Sequence, residues 1–336
     1  MKKDYPILPQ YRKSMDQVWK PLVPMLYPDT PSFLGVPLAT GKKELEMADA
    51  AVVGVPDQGL PRAGQEYVDS VQTPGRLRKD SLKYGGYLPE LDIDVFEEVR
   101  LVDYGDVLIP GKGDVLKAIG ATQTKLAEVL TASCLAISLG GTEICASLGL
   151  VKAAARAYPG KVGIITLDAH GDNLKDHLGD RWCAATWIAR MAEIPGIDLH
   201  RHAHIGLRGP RNMKEQVEWF RKKGTALYTM TEVKKIGMDR VMEQVLDRVA
   251  ERSRALILSV DLDVLDIGCA PGLDEPLGIY PEDLFKAAYQ VGSYGVKGFS
   301  LGWIPSPSPA IHWIATWTIL YLLAGLARSG TLKKRS

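Results

Sequence analysis

Five residues able to do chemistry arrive in two short runs of period two. GIITLDAHGDN (Gly163 to Asn173) sets Asp168, His170 and Asp172 on alternate positions, and SVDLDVLD (Ser259 to Asp266) does the same for Asp261 and Asp263. In an extended segment alternate side chains share a face, so each run gathers its polar groups on one side. Each also follows a stretch apolar enough to be buried on both faces, where an uncompensated carboxylate is costly to remove from water. A solvated loop with an N-cap would account for either run alone. Glu143, closing SLGGTE, is a third strand-end acid, and one histidine with five carboxylates at one edge calls for cations. This donor set suits a pair of borderline-hard divalent ions such as manganese, nickel or zinc, while the lack of nearby thiolates argues against an iron–sulfur cluster or a structural zinc. Two ions about 3.5–4 Å apart, sharing Asp168 and Asp261 as bridges, would form a hydrolytic centre.

Such groups need elements to hold them. DAAVVGVP, VRLVDYGDV, CLAISLGG, VGIITLDAH, RHAHIGLRG, ALILSVDLD and GVKGFSLGWIP read as seven strands, and amphipathic stretches at 114–131, 146–158 and 239–252 read as helices between them. The alternation predicts right-handed βαβ units, hence an α/β fold with a mainly parallel sheet and helices on both faces. In such folds catalytic groups collect at the carboxyl ends of the strands. No linker divides the chain, so 33–336 is read as a single domain, preceded by an irregular segment over 1–32.

Composition narrows the function classes. A formal charge of +1 over 336 residues offers no global field for nucleic acid or an anionic membrane, and neither is expected as a partner. Cys134, Cys145, Cys183 and Cys269 lie in or beside apolar segments without CxxC spacing, as reduced thiols of a cytoplasmic protein do. The apolar run Ala310 to Ala327 is long enough for a membrane span. With His312, two threonines and no partner span, it is read as a buried C-terminal helix.

On these motifs the chain resembles the ureohydrolases, the family of arginase, agmatinase and related guanidino-group hydrolases, from about Phe33 onward. DAHGD is similar to the family's DAHxD, and SVDLDVLD to its SxDxDxxDP, with Ile267 in place of proline. APGLDEPLGIYPEDL (Ala270 to Leu284) resembles APGTGTPEPGGLTPRE but is shorter, and RAGQEYVDSVQTPGRLR (Arg62 to Arg78) resembles RPGARFGPxAIR with an insertion. GGYLPELDIDVFEEVRLVDYGDV is closest to the agmatinase-like branch. The resemblance implies a three-layer arginase-like fold and a binuclear divalent centre, nickel or manganese. Its ligand positions are Glu143, Asp168, His170, Asp172, Asp261 and Asp263, with Asp263 also within the catalytic set. Glu275 and Asp283 stand at positions that contact a guanidinium.

The departures matter as much as the matches. Glu143 stands where the family has the histidine of GGDH, Ala184 where SHGT supplies a proton-shuttling histidine, and Ser300 and Trp303 where an aspartate and a glutamate are usual. The family's four aspartates and two histidines carry −4, matched by two divalent cations. The five carboxylates here (Glu143, Asp168, Asp172, Asp261, Asp263) carry −5 when ionised. Excess negative charge weakens a cation's polarising pull, and losing a general acid typically costs 10²–10⁴-fold in rate. The resemblance therefore implies the non-catalytic or weakly active subunit of a trimer or hexamer built with a homologous catalytic subunit. The heteromeric, nickel-dependent metformin hydrolase is an assembly of this type. Its substrate would be a small guanidino or biguanide compound. The alternative is an active guanidino-compound hydrolase in which His177 replaces the missing shuttle and Trp182, Trp187 and Trp303 line a less polar pocket.

Overall fold

The computed structural model describes residues 23–56, 71–110, 114–251, 253–302, 304 and 308–332. Its centre is a parallel sheet of eight strands: β1 (Ala50–Gly54), β2 (Leu101–Asp106), β3 (Leu135–Leu139), β4 (Val162–Leu167), β5 (His202–Leu207), β6 (Ala226–Thr229), β7 (Ala255–Asp261) and β8 (Gly298–Gly302). They lie in the order β6-β5-β4-β7-β8-β3-β1-β2. Seven of the eight are the runs read from sequence. The eighth, β6, is only four residues long, with three of the four partly exposed at the sheet edge, so its apolar signature is short and weak.

Register explains why the acidic motifs meet. Val260 of β7 lies opposite Leu167 of β4, and Asp261 opposite Gly302 of β8. Asp168, one residue past β4, therefore emerges beside Asp261 at the same edge of the sheet. The turn carrying Glu143 leaves β3, whose Leu139 pairs with Leu301.

The two faces of the sheet feed two apolar cores. Ile165, Leu167, Leu258 and Val260 point to one, with α5 (Met238–Val249), α6 (Pro281–Tyr294) and α7 (Pro309–Arg328). Val162, Ile164 and Ile257 point to the other, with α2 (Val115–Thr131), α3 (Ala146–Ala157) and Phe220 of α4 (Lys214–Lys223). This is a three-layer arrangement with helices on both faces. A further helix, α1 (Thr73–Ser81), is tied to β2 by Arg78, whose buried guanidinium takes both oxygens of Asp103 at 2.7 and 3.0 Å and Asp106 Oδ1 at 2.6 Å. Phe33 N donates to Asp103 as well, at 2.8 Å, which anchors the start of the domain. Of the segment read as irregular, residues 1–22 lie outside the described residues. Met25–Tyr27 and Thr30–Pro31 form a two-stranded antiparallel ribbon.

The long apolar run is α7, a helix of sufficient length and hydropathy to cross a membrane and 67% buried within the protein. It crosses α6 closely. A Cβ added at Gly325 would fall 2.1 Å from Tyr289 O, and one at Gly292 would fall 2.2 Å from Leu322 O. Two backbones touch there, and side chains cannot be inserted without parting them. In an open helix Gly→Ala gains about 1 kcal/mol of propensity. Here Gly325→Ala is expected to do the reverse, destabilising by about 1–3 kcal/mol through overpacking, read as a lower denaturant midpoint. A midpoint unchanged or raised would show that the crossing relaxes freely.

Candidate metal centre

The centre is assembled from the ends of β4 and β7. Asp168 Oδ1 accepts from His170 N at 2.7 Å, and Asp261 Oδ1 from Asp263 N at 2.8 Å. Each carboxylate thus caps the turn that presents the next ligand two residues on. Asp263 Oδ1 accepts from Ala169 N at 3.0 Å, which fastens the two loops together. Asp172 sits in the left-handed region at φ 44°, a strained conformation for a residue with a Cβ. The strain is held by Ile188 N, which donates to Asp172 O at 2.9 Å, and by Asn173 Nδ2, which donates to Gln216 O at 3.0 Å.

Ligand atoms of Asp168, His170 and Asp263 converge within 4.8 Å of one another. His170 Nδ1 pairs with Asp263 Oδ2 at 2.7 Å, and Nε2 with Glu275 Oε1 at 2.9 Å. A neutral imidazole donates through one nitrogen only, so two carboxylate partners mark this ring as cationic. Burial works against the charge, but the hydrogen bond and charge of Asp263, helped by Asp172, raise His170 to about 9. Asp263 is the matching anion. Burial pushes it up, and its contacts to His170 more than reverse this, leaving it below the usual carboxylate range.

The other acids show the cost of crowding. Burial, then the charges of Asp172 and Asp263, drives Asp168 well above its ordinary value, and its Oδ2 is buried with no hydrogen-bond partner among the described residues. Asp261 is likewise raised by burial and then by Asp263, Glu143 and Asp168. Asp172 is raised to about 7, chiefly by burial. A buried carboxylate oxygen without a donor, beside an imidazole and a second carboxylate, fits the donor set of a divalent cation.

Glu143 is buried and close enough to raise both Asp168 and Asp261. Its side chain lies over Gly302, where an added Cβ would fall 2.0 Å from Glu143 Oε1. Only glycine at the end of β8 leaves room for it. Ser300, beneath, joins Ser138, Ser147 and Ser259 in a buried hydroxyl cluster with spacings of 2.9–3.3 Å. The remaining candidates are more dispersed. Ala184 opens the short helical turn Ala184–Thr186, whose neighbour Ala185 accepts from Leu174 N at 3.2 Å. His177 pairs with Asp180 through backbone hydrogen bonds and, among the described residues, makes none to the cluster. Asp283 lies in the first turn of α6, its N–H donated to Tyr280 O. Trp187 is core, the Trp182 ring has the Arg181 and Arg190 guanidiniums 6.0 and 5.9 Å from its centre, and Trp303 falls outside the described residues, as do positions 62–70 of the Arg62-to-Arg78 motif.

Three further residues complete the site. Arg208 spends its guanidinium on backbone carbonyls of Asp263, Leu265, Glu275 and Pro276, at 2.7–3.1 Å, and clamps the β7 loop to the Glu275 loop. Asn212 accepts from Gly171 N and donates to Ala169 O, both at 2.9 Å, bracing the His170 turn. Arg211 reaches Asp274 and Glu275. Their only sequence signal is position, in GLRGPRN at the end of a strand neighbouring the acidic one.

Fold and centre together define a class: a parallel-sheet α/β protein whose strand ends gather carboxylates and an imidazole as a divalent-metal hydrolase does. Within that class the chain belongs to the arginase family, whose model matches residues 48–301. It is 31% identical over 259 residues to the arginase of Bacillus caldovelox, covering 69% of this chain and 81% of that one. It is 29% identical over 248 residues to the guanidinobutyrase of Pseudomonas aeruginosa, covering 73% and 74%. Among solved structures, the proclavaminate amidino hydrolase from Streptomyces clavuligerus superposes with a TM-score of 0.77 at 23% identity, over 90% of this chain and all of that one.

The proton inventory has a consequence for stability. His170, raised to about 9 from 6.5, stabilises the metal-free fold while protonated and ceases to as pH climbs from 6.5 through 9. Asp172, raised from 3.8 to about 7, binds more protons folded than unfolded, so it too withdraws stability as pH rises through that interval. The chelator-treated chain is expected to melt at progressively lower temperature between about pH 6 and pH 9, and Mn2+ to flatten the decline by replacing protons. A metal-free melting temperature that is flat or rising across this interval would contradict the assignment.

Proposed function

We propose that this chain is a ureohydrolase-type subunit acting in the hydrolysis of guanidino or biguanide C–N bonds, itself non-catalytic or weakly active and assembled with a homologous catalytic chain. The observation that carries the proposal is the fifth carboxylate: Glu143 stands buried beside Asp168 and Asp261 and raises the proton affinity of both. An imidazole at that position would add a ligand without adding charge. Asp168, His170 and Asp263 would hold one divalent ion, manganese or nickel, with Asp261, Asp172 and Glu143 offered to a second. When bound, such ions polarise the scissile group and activate water.

The chain's own residues accomplish less of the remaining chemistry. Glu275, buried and paired to His170, is placed to receive a guanidinium. Ala184 can neither take nor give a proton, and among the described residues His177 makes no hydrogen bond to the cluster. The Arg78, Arg208 and Asn212 braces hold an ordered scaffold around these departures, which suits a chain that serves in an assembly, as in the heteromeric metformin hydrolase. A trimer or hexamer is the proposed state, read by light scattering of the mixture.

Repair of the two positions tests the reading. Glu143→His is expected to improve metal retention after dialysis, without turnover. Glu143→His with Ala184→His is expected to release detectable urea from a guanidino compound, with a gain in activation free energy beyond the sum of the single changes. The unmodified chain should show little or no turnover alone and should alter the turnover of a homologous catalytic chain. Robust hydrolysis by the unmodified chain alone would overturn the proposal in favour of an active hydrolase.

A further inference from the structure

Arg211 stands where the carboxylate cluster meets solvent. Its side chain is 56% exposed, yet its Nη1 donates to Asp274 Oδ2 at 2.9 Å and to Glu275 Oε1 at 2.9 Å. Glu275 is buried, with 6% of its side chain exposed, and the same Oε1 pairs with His170 Nε2 at 2.9 Å. A single oxygen thus separates the guanidinium from the Asp168–His170–Asp263 group. The loop is held there independently of the arginine, because the neighbouring Asn212 is hydrogen-bonded to the backbone of Gly171 and Ala169. The charge of Arg211 is felt by both His170 and Asp172.

Any guanidino compound drawn to this cluster needs a carboxylate to receive its planar N–H fork. Glu275 is the buried acid lying between the exposed arginine and His170. We propose that Arg211 is this chain's own guanidino ligand, its guanidinium resting on Glu275 where the guanidinium of a substrate would rest, so that an incoming guanidino compound has to displace it. The inference rests on the ureohydrolase-type reading of the site. The hold is end-on, through one nitrogen of a half-exposed side chain, and such pairs are weak beside a two-pronged contact. Arg211 therefore blocks by occupancy, and a ligand that engages Glu275 through two N–H groups is able to replace it.

The test uses the full chain saturated with Mn2+, titrated calorimetrically with agmatine as the guanidino probe, with metal content measured on every sample. Arg211→Met keeps the stem and removes the guanidinium. It is expected to bind agmatine about five-fold more tightly or better, the factor set by an exposed ion pair. Asp274→Asn, which loosens Arg211 from its other partner, should move affinity the same way by less. Adding Glu275→Gln to Arg211→Met should abolish the gain. Unchanged affinity in Arg211→Met would overturn the inference, as would a gain that survives Glu275→Gln. Weaker binding would overturn it too, by making Arg211 one of the ligand's own contacts. Urea release by the unmodified chain is a separate readout and strikes the subunit reading rather than the calorimetric comparison.

Discussion

The carboxylates of Asp168, Asp172, Asp261 and Asp263 are buried within electrostatic reach of one another, and much of the surrounding structure serves to make that tolerable. The parallel sheet creates the problem, since strands covered on both faces end in a water-poor edge. Neighbouring peptide N–H groups compensate part of it, at Ala169, His170 and Asp263. His170 compensates more as an imidazolium between Asp263 and Glu275. Protons held by the raised acids account for the remainder. A divalent cation does the same work better, because it satisfies several oxygens at once and releases those protons.

The compensation is uneven. On the His170 side the ligand atoms converge and the loops are braced by Arg208 and Asn212, which fix geometry through backbone carbonyls and amides rather than through charge. On the Glu143 side the structure adds another acid, seated on a glycine that no other residue could replace without displacing it. The serines beneath it offer hydroxyls but no charge. The two sides therefore differ in kind: one is fixed by neutral backbone contacts, the other carries an added negative charge.

Much of this was legible in the chain itself, for physical reasons. Period-two acids after an apolar run suit a buried strand opening into a polar turn, and it was the coincidence of two such runs with Glu143, rather than either alone, that pointed to one sheet edge for Asp168, His170, Asp261 and Asp263. The helices over 114–131 and 146–158 carried the matching 3.6-residue periodicity, and Asp114 caps the first through Lys117 N. Strand β6 escaped because a short, half-exposed edge strand has little apolar signature. Arg208, Arg211 and Asn212 escaped because their partners lie on other loops, and an arginine on a backbone carbonyl looks in sequence like any surface arginine. The double engagement of His170 was also hidden, since Glu275 approaches from a loop 105 residues away.

The central claim is that the cluster around His170 is a cation site, built from Asp168, His170 and Asp263. Calorimetric titration of the chelated chain with Mn2+ at about pH 8, beside Asp263→Asn, tests it most directly. The account predicts saturable binding by the unmodified chain, accompanied by proton release, and at least about ten-fold weaker binding when Asp263 loses its charge. Binding that is absent, or equally tight in Asp263→Asn, would contradict it.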